Sequence, residues 1–206
     1  MHKSWSFIFL LVSTTLFAQT RLDKPEVYLG ITGGAIGSMV MFKPTVNQSY
    51  LLGYTGGIVF RYIDEKNVGM QAELNFSQRG WKESNGQYSK QLNYIELPFL
   101  THIYMGKTNR FFINLGPKIS YLVSEKALVN LVSTEPQQTT AIQNPFDYGL
   151  CAGFGILFNI KGNVIQFDTR AYYGLSDIYS NAKKDYFDAS NNVNVTANIA
   201  WLIQLK

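Results

Sequence analysis

Charged side chains that could do chemistry recur along the chain, and six of them are candidates for one shared site: Arg61, Glu73, Glu96, Lys118, Asp168 and Arg170. Two carboxylates held about 5 Å apart suit retaining glycoside hydrolysis, so Glu73 and Glu96 invite that reading. Carboxylates interspersed with Lys and Arg favour ion pairs instead, because a charge removed from water needs an opposite partner. We predict an ion-pair network with no catalytic role.

Two further residues could carry chemistry. His102 is the only histidine after His2, and beside a serine it would suggest a hydrolase. Cys151 is the single cysteine, so an internal disulfide is excluded, and no group of Cys and His has metal-ligand spacing. We therefore predict no catalytic residue, no metal and no cofactor, with Cys151 an unreactive buried thiol.

The segments that position these residues alternate with a period of two, which is typical of β-strands. The last segment shows this most clearly, since Val193, Val195, Ala197, Ile199 and Trp201 are apolar and the residues between them are mostly polar. The same alternation predicts eight strands, at about 26–37, 51–63, 68–81, 88–104, 110–124, 146–160, 164–178 and 193–205. High Gly, Tyr and Phe contents agree with an all-β chain.

Charged residues within these strands fall on the polar face, which is otherwise rich in Gly, Ser, Asn and Tyr. A polar interior and an apolar exterior are typical of a transmembrane barrel. We predict a single eight-stranded antiparallel up-and-down transmembrane β-barrel. A soluble ligand-binding barrel with the opposite faces is the alternative. A side-chain-filled interior of eight strands has no room for a sugar, which disfavours the hydrolase reading.

The N-terminus predicts export. Lys3 is followed by an apolar run over 7–12 that is much shorter than the roughly 20 residues of a transmembrane helix, and Ala18 precedes a suitable cleavage point. We assign residues 1–18 to a signal peptide and 19–206 to the barrel.

Connections between the strands differ in length at the two ends. Short turns are predicted at 64–67, 106–109 and 161–163, and longer loops at about 38–50, 125–145 and 179–191. Outer-membrane barrels place their short turns in the periplasm, so both termini are predicted to be periplasmic. Aromatic residues near strand ends predict interfacial girdles: Trp81, Tyr104, Tyr121 and Tyr179.

A provisional register places Glu73 opposite Glu96, and Glu96 opposite Lys118. Arg61 then lies diagonal to Glu73, and Asp168 and Arg170 form a pair on the other wall. The same register sets Pro98 beside Gly116 and Pro117. Since proline cannot donate to the ladder, we predict a bulge or kink there.

Three segments carry a family resemblance: Gln71-Ala72-Glu73-Leu74-Asn75-Phe76-Ser77-Gln78-Arg79-Gly80, Leu92-Asn93-Tyr94-Ile95-Glu96-Leu97-Pro98-Phe99-Leu100, and Gly116-Pro117. In their order they resemble the outer-membrane β-barrel family of Bacteroides-type bacteria, called porin-like or PorT-like. The resemblance implies an outer-membrane location and a small barrel, and no enzymatic activity common to the family. One type of member takes part in protein secretion and gliding.

We therefore expect a structural or interaction role, with contacts to outer-membrane lipid and to a protein partner at the outer loops or the periplasmic turns. The segment 124–145 is the longest candidate recognition loop. A net charge of +4 gives no argument for nucleic-acid binding, and a monomer is expected. The alternative is a narrow porin-like channel or small-ligand barrel, since inward glycines could leave a cavity: Gly30, Gly34, Gly53, Gly57, Gly149, Gly153 and Gly155.

Overall fold

The computed structural model describes residues 21–86, 88–129, 140–180 and 187–205. The predicted signal peptide and all of residues 130–139 in the longest loop lie outside the described residues. The strands are β1 (Arg21–Lys43), β2 (Gln48–Ser49), β3 (Leu51–Glu65), β4 (Val68–Glu83), β5 (Tyr88–Gly106), β6 (Asn109–Val129), β7 (Phe146–Ile160), β8 (Asn163–Asp177) and β9 (Ala189–Gln204). Within the described part of the chain, no helix is long and apolar enough to cross a membrane.

Eight long antiparallel strands close into a ring. Each pairs with its neighbours in chain order, and β1 pairs with β9 from Tyr28↔Gln204 to Lys43↔Ala189 to complete the circle. The two-residue β2 only extends the edge of β4, through Gln48↔Glu83. The predicted eight-stranded up-and-down barrel is confirmed, and closure leaves each long strand with two partners.

The apolar face of every long strand points outward. Along β3, Leu52, Tyr54, Ile58 and Phe60 are between 44% and 79% exposed, whereas Arg61 on the opposite face is 1% exposed. A soluble barrel would show the reverse, so the assignment of the apolar face to the exterior is confirmed.

Inward glycines let the strands approach closely and do not leave the predicted cavity. A Cβ added at Gly34 would lie 2.1 Å from the carbonyl oxygen of Ala197 in the backbone of β9. The next residue, Gly33, points outward, and a Cβ there would meet only Thr55 O at 3.8 Å. The space beside Gly34 is thus occupied by neighbouring backbone, which cannot move aside as a flexible side chain would.

We expect Gly34→Ala to destabilise the barrel by about 1–3 kcal/mol, the range for overpacking at a site that cannot yield. Gly33→Ala is the matched control and should leave stability within about 0.5 kcal/mol, as for other surface changes. Urea unfolding followed by the mobility difference between boiled and unboiled samples measures both variants. Equal stability of the two would contradict the close approach of β1 and β9.

The aromatic-girdle prediction is wrong for three of its four residues. Trp81, Tyr104 and Tyr179 are 4–5% exposed and point into the barrel, while Tyr121 is 55% exposed on the outside. Trp81 shares the inward parity of Glu73, and Tyr104 shares that of His102. Position near a strand end was the wrong criterion, because alternation decides the face.

The observed register differs from the predicted one by two residues. Glu96 lies opposite Asn75 on β4 and Ser120 on β6, and Lys118 lies opposite Pro98. The turns account for this difference, since Gly86 and Gly106 have positive φ values of 73° and 113° and set where each hairpin reverses. A shift of two residues keeps every side chain on its predicted face.

No register shift occurs at Pro98, so a bulge is absent at this residue, but the pairing of β5 with both of its neighbours is interrupted beside it. The bridging pairs are interrupted there without a change of register, between Ala72↔Phe99 and Asn75↔Glu96 on β4. Gly116 and Pro117 instead pair with Cys151 and Leu150 of β7. The register shift between β5 and β6 lies at Asn93/Tyr94, and their pairing is also interrupted between Pro98↔Lys118 and Thr101↔Leu115, the interval that contains Gly116 and Pro117.

Candidate functional site: the charged lumen

The six predicted charged residues all project into the barrel and are buried. They form two clusters along the barrel axis, separated by a small cavity. The cluster nearer the short turns is centred on Arg170 of β8. Its Nη1 donates to Glu73 Oε2 at 2.8 Å, and its Nε donates to Asp168 Oδ1 at 2.6 Å. One guanidinium therefore joins carboxylates from β4 and β8 across the lumen, which we call the Arg170 cluster.

Arg61 reaches this cluster through amide side chains. It donates to the Oε1 atoms of Gln71, at 2.9 Å from Nε, and of Gln166. Gln166 Nε2 then donates to Asp168 Oδ2 at 2.7 Å, and Gln71 Nε2 donates to Glu73 Oε1. The diagonal position predicted for Arg61 beside Glu73 agrees with this geometry, but the two glutamines carry the contact.

The second cluster is centred on Arg79 and Glu96. Arg79 Nη2 donates to Asp147 Oδ2 at 2.7 Å and Nη1 lies 3.3 Å from Glu96 Oε1, while Lys118 Nζ donates to Glu96 Oε2 at 3.0 Å. The Arg79 guanidinium also lies 3.8 Å from the ring centroid of Tyr94, a cation–π contact. We call this the Arg79 cluster.

Arg79 and Asp147 were missed as site residues by reasoning from the sequence. Alternation already placed both on the polar face, so the signal for their burial was present. Their pairing required knowledge of the register, because they are 68 residues apart in the chain.

Charges in the two clusters balance. Four are positive and four negative: Arg61, Arg79, Lys118 and Arg170 against Glu73, Glu96, Asp147 and Asp168. Opposite charges at hydrogen-bond distance offset the cost of removing each from water. Asn75, Asn192, Asn198 and Ser176 donate further hydrogen bonds to these carboxylates.

Apolar side chains close the lumen at both ends. Towards the short turns lies a short-turn plug, made of Tyr28, Val59, Ile63, Tyr104, Phe112, Leu157, Val164, Ala200 and Leu202. Towards the long loops lies a long-loop plug, made of Val40, Phe42, Trp81, Tyr88, Leu92, Tyr94, Ile178 and Tyr179. The charged clusters are enclosed between the two.

His102 lies deep in the short-turn half. It is fully buried, its Nδ1 lies 2.8 Å from Asn114 Oδ1, and its ring packs against Phe112. Cys151 is buried and reduced, beside Leu100 and Tyr172. Among the described residues, no group of three or more His, Cys, Asp and Glu side chains is arranged to hold a metal ion.

A closed eight-stranded barrel with an apolar exterior and a charged lumen defines the class of integral outer-membrane β-barrels. A family model described as "Outer membrane protein beta-barrel domain" matches residues 17–180. The chain belongs to this family, and it is a small barrel of the outer membrane in contact with lipid.

Three solved structures that are similar to this barrel are distant in sequence. Neisserial surface protein A is 13% identical, with 86% of this chain and 98% of that chain covered and a TM-score of 0.47. OprG from Pseudomonas aeruginosa is 13% identical, with coverages of 87% and 92% and a TM-score of 0.46. Ail of Yersinia pestis is 13% identical, with coverages of 86% and 99% and a TM-score of 0.44. A comparison with curated proteins finds no match.

Proposed function

We propose that this protein is a non-conducting and non-catalytic barrel that serves as a rigid platform for a protein partner at its long-loop end. The observation that carries the proposal is the packing of the lumen, where two apolar plugs enclose charge-balanced clusters. Such an interior holds the wall rigid, and long loops on a rigid scaffold are where recognition is usually built. His102 is buried among these side chains, facing away from lipid.

Contacts at the long-loop end support a structured platform. Ile142 packs against the long-loop plug, and its backbone N–H donates to Glu125 at 3.1 Å. Lys90, buried below, donates to the carbonyl oxygen of Thr140 at 2.6 Å and pairs with Glu125 at 3.2 Å. The described part of the 124–145 loop is thus held down onto the barrel.

We further propose that the protein is a monomer of the porin-like or PorT-like type, exported with cleavage of residues 1–18. The segments that resemble this family, 71–80, 92–100 and 116–117, support this type. For a protein of this type, we propose that the protein partner is a component of a secretion complex.

Planar-bilayer recording tests the closed lumen. We expect the purified barrel to give no conductance steps above background, since an ion would have to cross both apolar plugs. A reproducible step of constant size would overturn the proposal and favour the narrow channel instead. Removing side chains from the long-loop plug, as in a Trp81→Ala, Tyr179→Ala variant, should still give no steps, because the short-turn plug remains.

Orientation has its own test. The short turns all lie at one end, marked by the pairs Glu65↔Val68, Gly106↔Arg110 and Ile160↔Asn163, which supports a periplasmic position for that end and both termini. In intact cells, a membrane-impermeant maleimide should label Lys126→Cys and leave Lys107→Cys unlabelled. The native Cys151 is buried and should give a low background. Labelling of Lys107→Cys alone would reverse the orientation.

A further inference from the structure

A small polar cavity of about 30 Å³ lies on the barrel axis between the Arg79 cluster and the Arg170 cluster. All eight long strands contribute to its lining, from Thr32 of β1 to Asn194 of β9. Two carboxylates and two cations, Glu73, Glu96, Lys118 and Arg170, also face it.

Two asparagines that line this cavity each have one buried amide atom without a hydrogen-bond partner. Asn75 Oδ1 is a free acceptor and Asn194 Nδ2 is a free donor, and the two residues are 6% and 2% exposed. A buried polar atom without a hydrogen-bond partner is destabilising, so two such atoms on side chains that line one cavity point to a partner held in the cavity.

We propose that the cavity is a hydration site holding one or two ordered water molecules, bound by Asn75 Oδ1 and Asn194 Nδ2. A water molecule needs roughly 10–15 Å³ of such volume and two to four polar partners, and both conditions are met. It accepts from the Asn194 amide, donates to the Asn75 oxygen, and lies within the space shared by both ionic clusters.

Water fits the site better than an ion does. The four charged groups around the cavity cancel, so no net field selects a cation or an anion. The plugs at either end separate the site from bulk water, so the bound molecules exchange slowly. The water molecules supply hydrogen bonds between the Arg79 cluster and the Arg170 cluster that the side chains do not make directly.

A crystal structure at about 1.8 Å or better provides the first test. We expect electron density for water within hydrogen-bond distance of Asn75 Oδ1 and Asn194 Nδ2, at distances near 2.8–3.2 Å. An empty cavity in a map that shows other buried waters would overturn the proposal. Direct pairing of the two amides with each other would overturn it as well.

Nuclear Overhauser effects between water and side-chain amides give a second test in detergent micelles. We expect a cross-peak for the Asn194 Nδ2 protons with the sign of a long-lived contact. The Gln166 amide is the internal control, because it is equally buried but donates to Asp168 and does not line the cavity. Absence of the Asn194 signal, or equal signals at both amides, would contradict a localised site.

A substitution of Asn194 distinguishes a hydrated cavity from a dry one. Asn194→Leu has a similar volume and should lower the urea midpoint, because it removes one of the two groups that bind the water and leaves Asn75 less well satisfied. A dry cavity predicts the opposite, since an apolar side chain would then improve packing. A raised midpoint in Asn194→Leu would overturn the proposal.

Discussion

Replacing Arg170 with methionine is expected to lower the free energy of unfolding by about 3–5 kcal/mol, the usual effect of removing one partner from a buried ion pair. Arg170 is bonded to both Glu73 and Asp168, with distances of 2.8 Å and 2.6 Å. Methionine keeps much of the volume and removes the charge, so two carboxylates are left in the lumen without their shared cation. Equilibrium unfolding in urea, followed by gel mobility of the refolded barrel, measures the loss.

A triple variant supplies the control. Adding Glu73→Gln and Asp168→Asn to Arg170→Met removes the uncompensated charges while keeping side-chain size, so we expect it to be more stable than Arg170→Met alone. Such non-additivity is the signature of residues that act as one network. If the triple variant lost the sum of the separate effects, the cluster would not be an interlocking unit.

Placing an arginine on the outer wall is expected to have the second largest effect. Ile58 is the eighth of the fifteen residues of β3 and is 53% exposed. Since this face contacts lipid, Ile58→Arg should destabilise the barrel by about 2–4 kcal/mol near the membrane midplane. Refolding into lipid vesicles, with urea titration, gives the difference directly.

Leu128→Arg is the matched control for Ile58→Arg. Leu128 is also exposed and apolar, but it lies on β6 beyond the last pair with β7, Tyr121↔Phe146, towards the long loops. A charge there meets water and should change stability by less than about 1 kcal/mol. Equal tolerance of both arginines would mean that the outer wall does not contact hydrocarbon.

The face of each side chain could be read from the sequence, whereas its height along the axis could not. Alternation has a period of two, so Glu73, Glu96 and Lys118 were placed inside whatever the register. The partners depended on the turns, and the positive φ of Gly86 and Gly106 moved both hairpins by two residues. Glu96 consequently pairs with Arg79 as well as with Lys118.

Contacts across the lumen are the part that a single sequence does not encode in any local pattern. Arg79 and Asp147 come from strands on different sides of the ring, and no spacing rule connects them. Trp81 and Tyr179 illustrate the same limit, because a strand-end aromatic is equally suited to a membrane interface and to the end of the lumen. Only the closed ring shows that they pack together, with ring centroids 6.2 Å apart.

The cross-lumen ion pairs also constrain how the chain folds. Glu73 and Arg170 are 97 residues apart, on β4 and β8, and they meet across the lumen of the ring that β1 and β9 close. An open sheet entering the bilayer would leave the pairs between non-neighbouring strands, Glu73–Arg170 and Arg79–Asp147, unmade and would present these charges to hydrocarbon, which is costly. Insertion and closure must therefore proceed together, with the nascent sheet curling around its charges as it crosses the membrane. Folding of this barrel is then governed by contacts of large sequence separation, which makes it a slow and highly cooperative process.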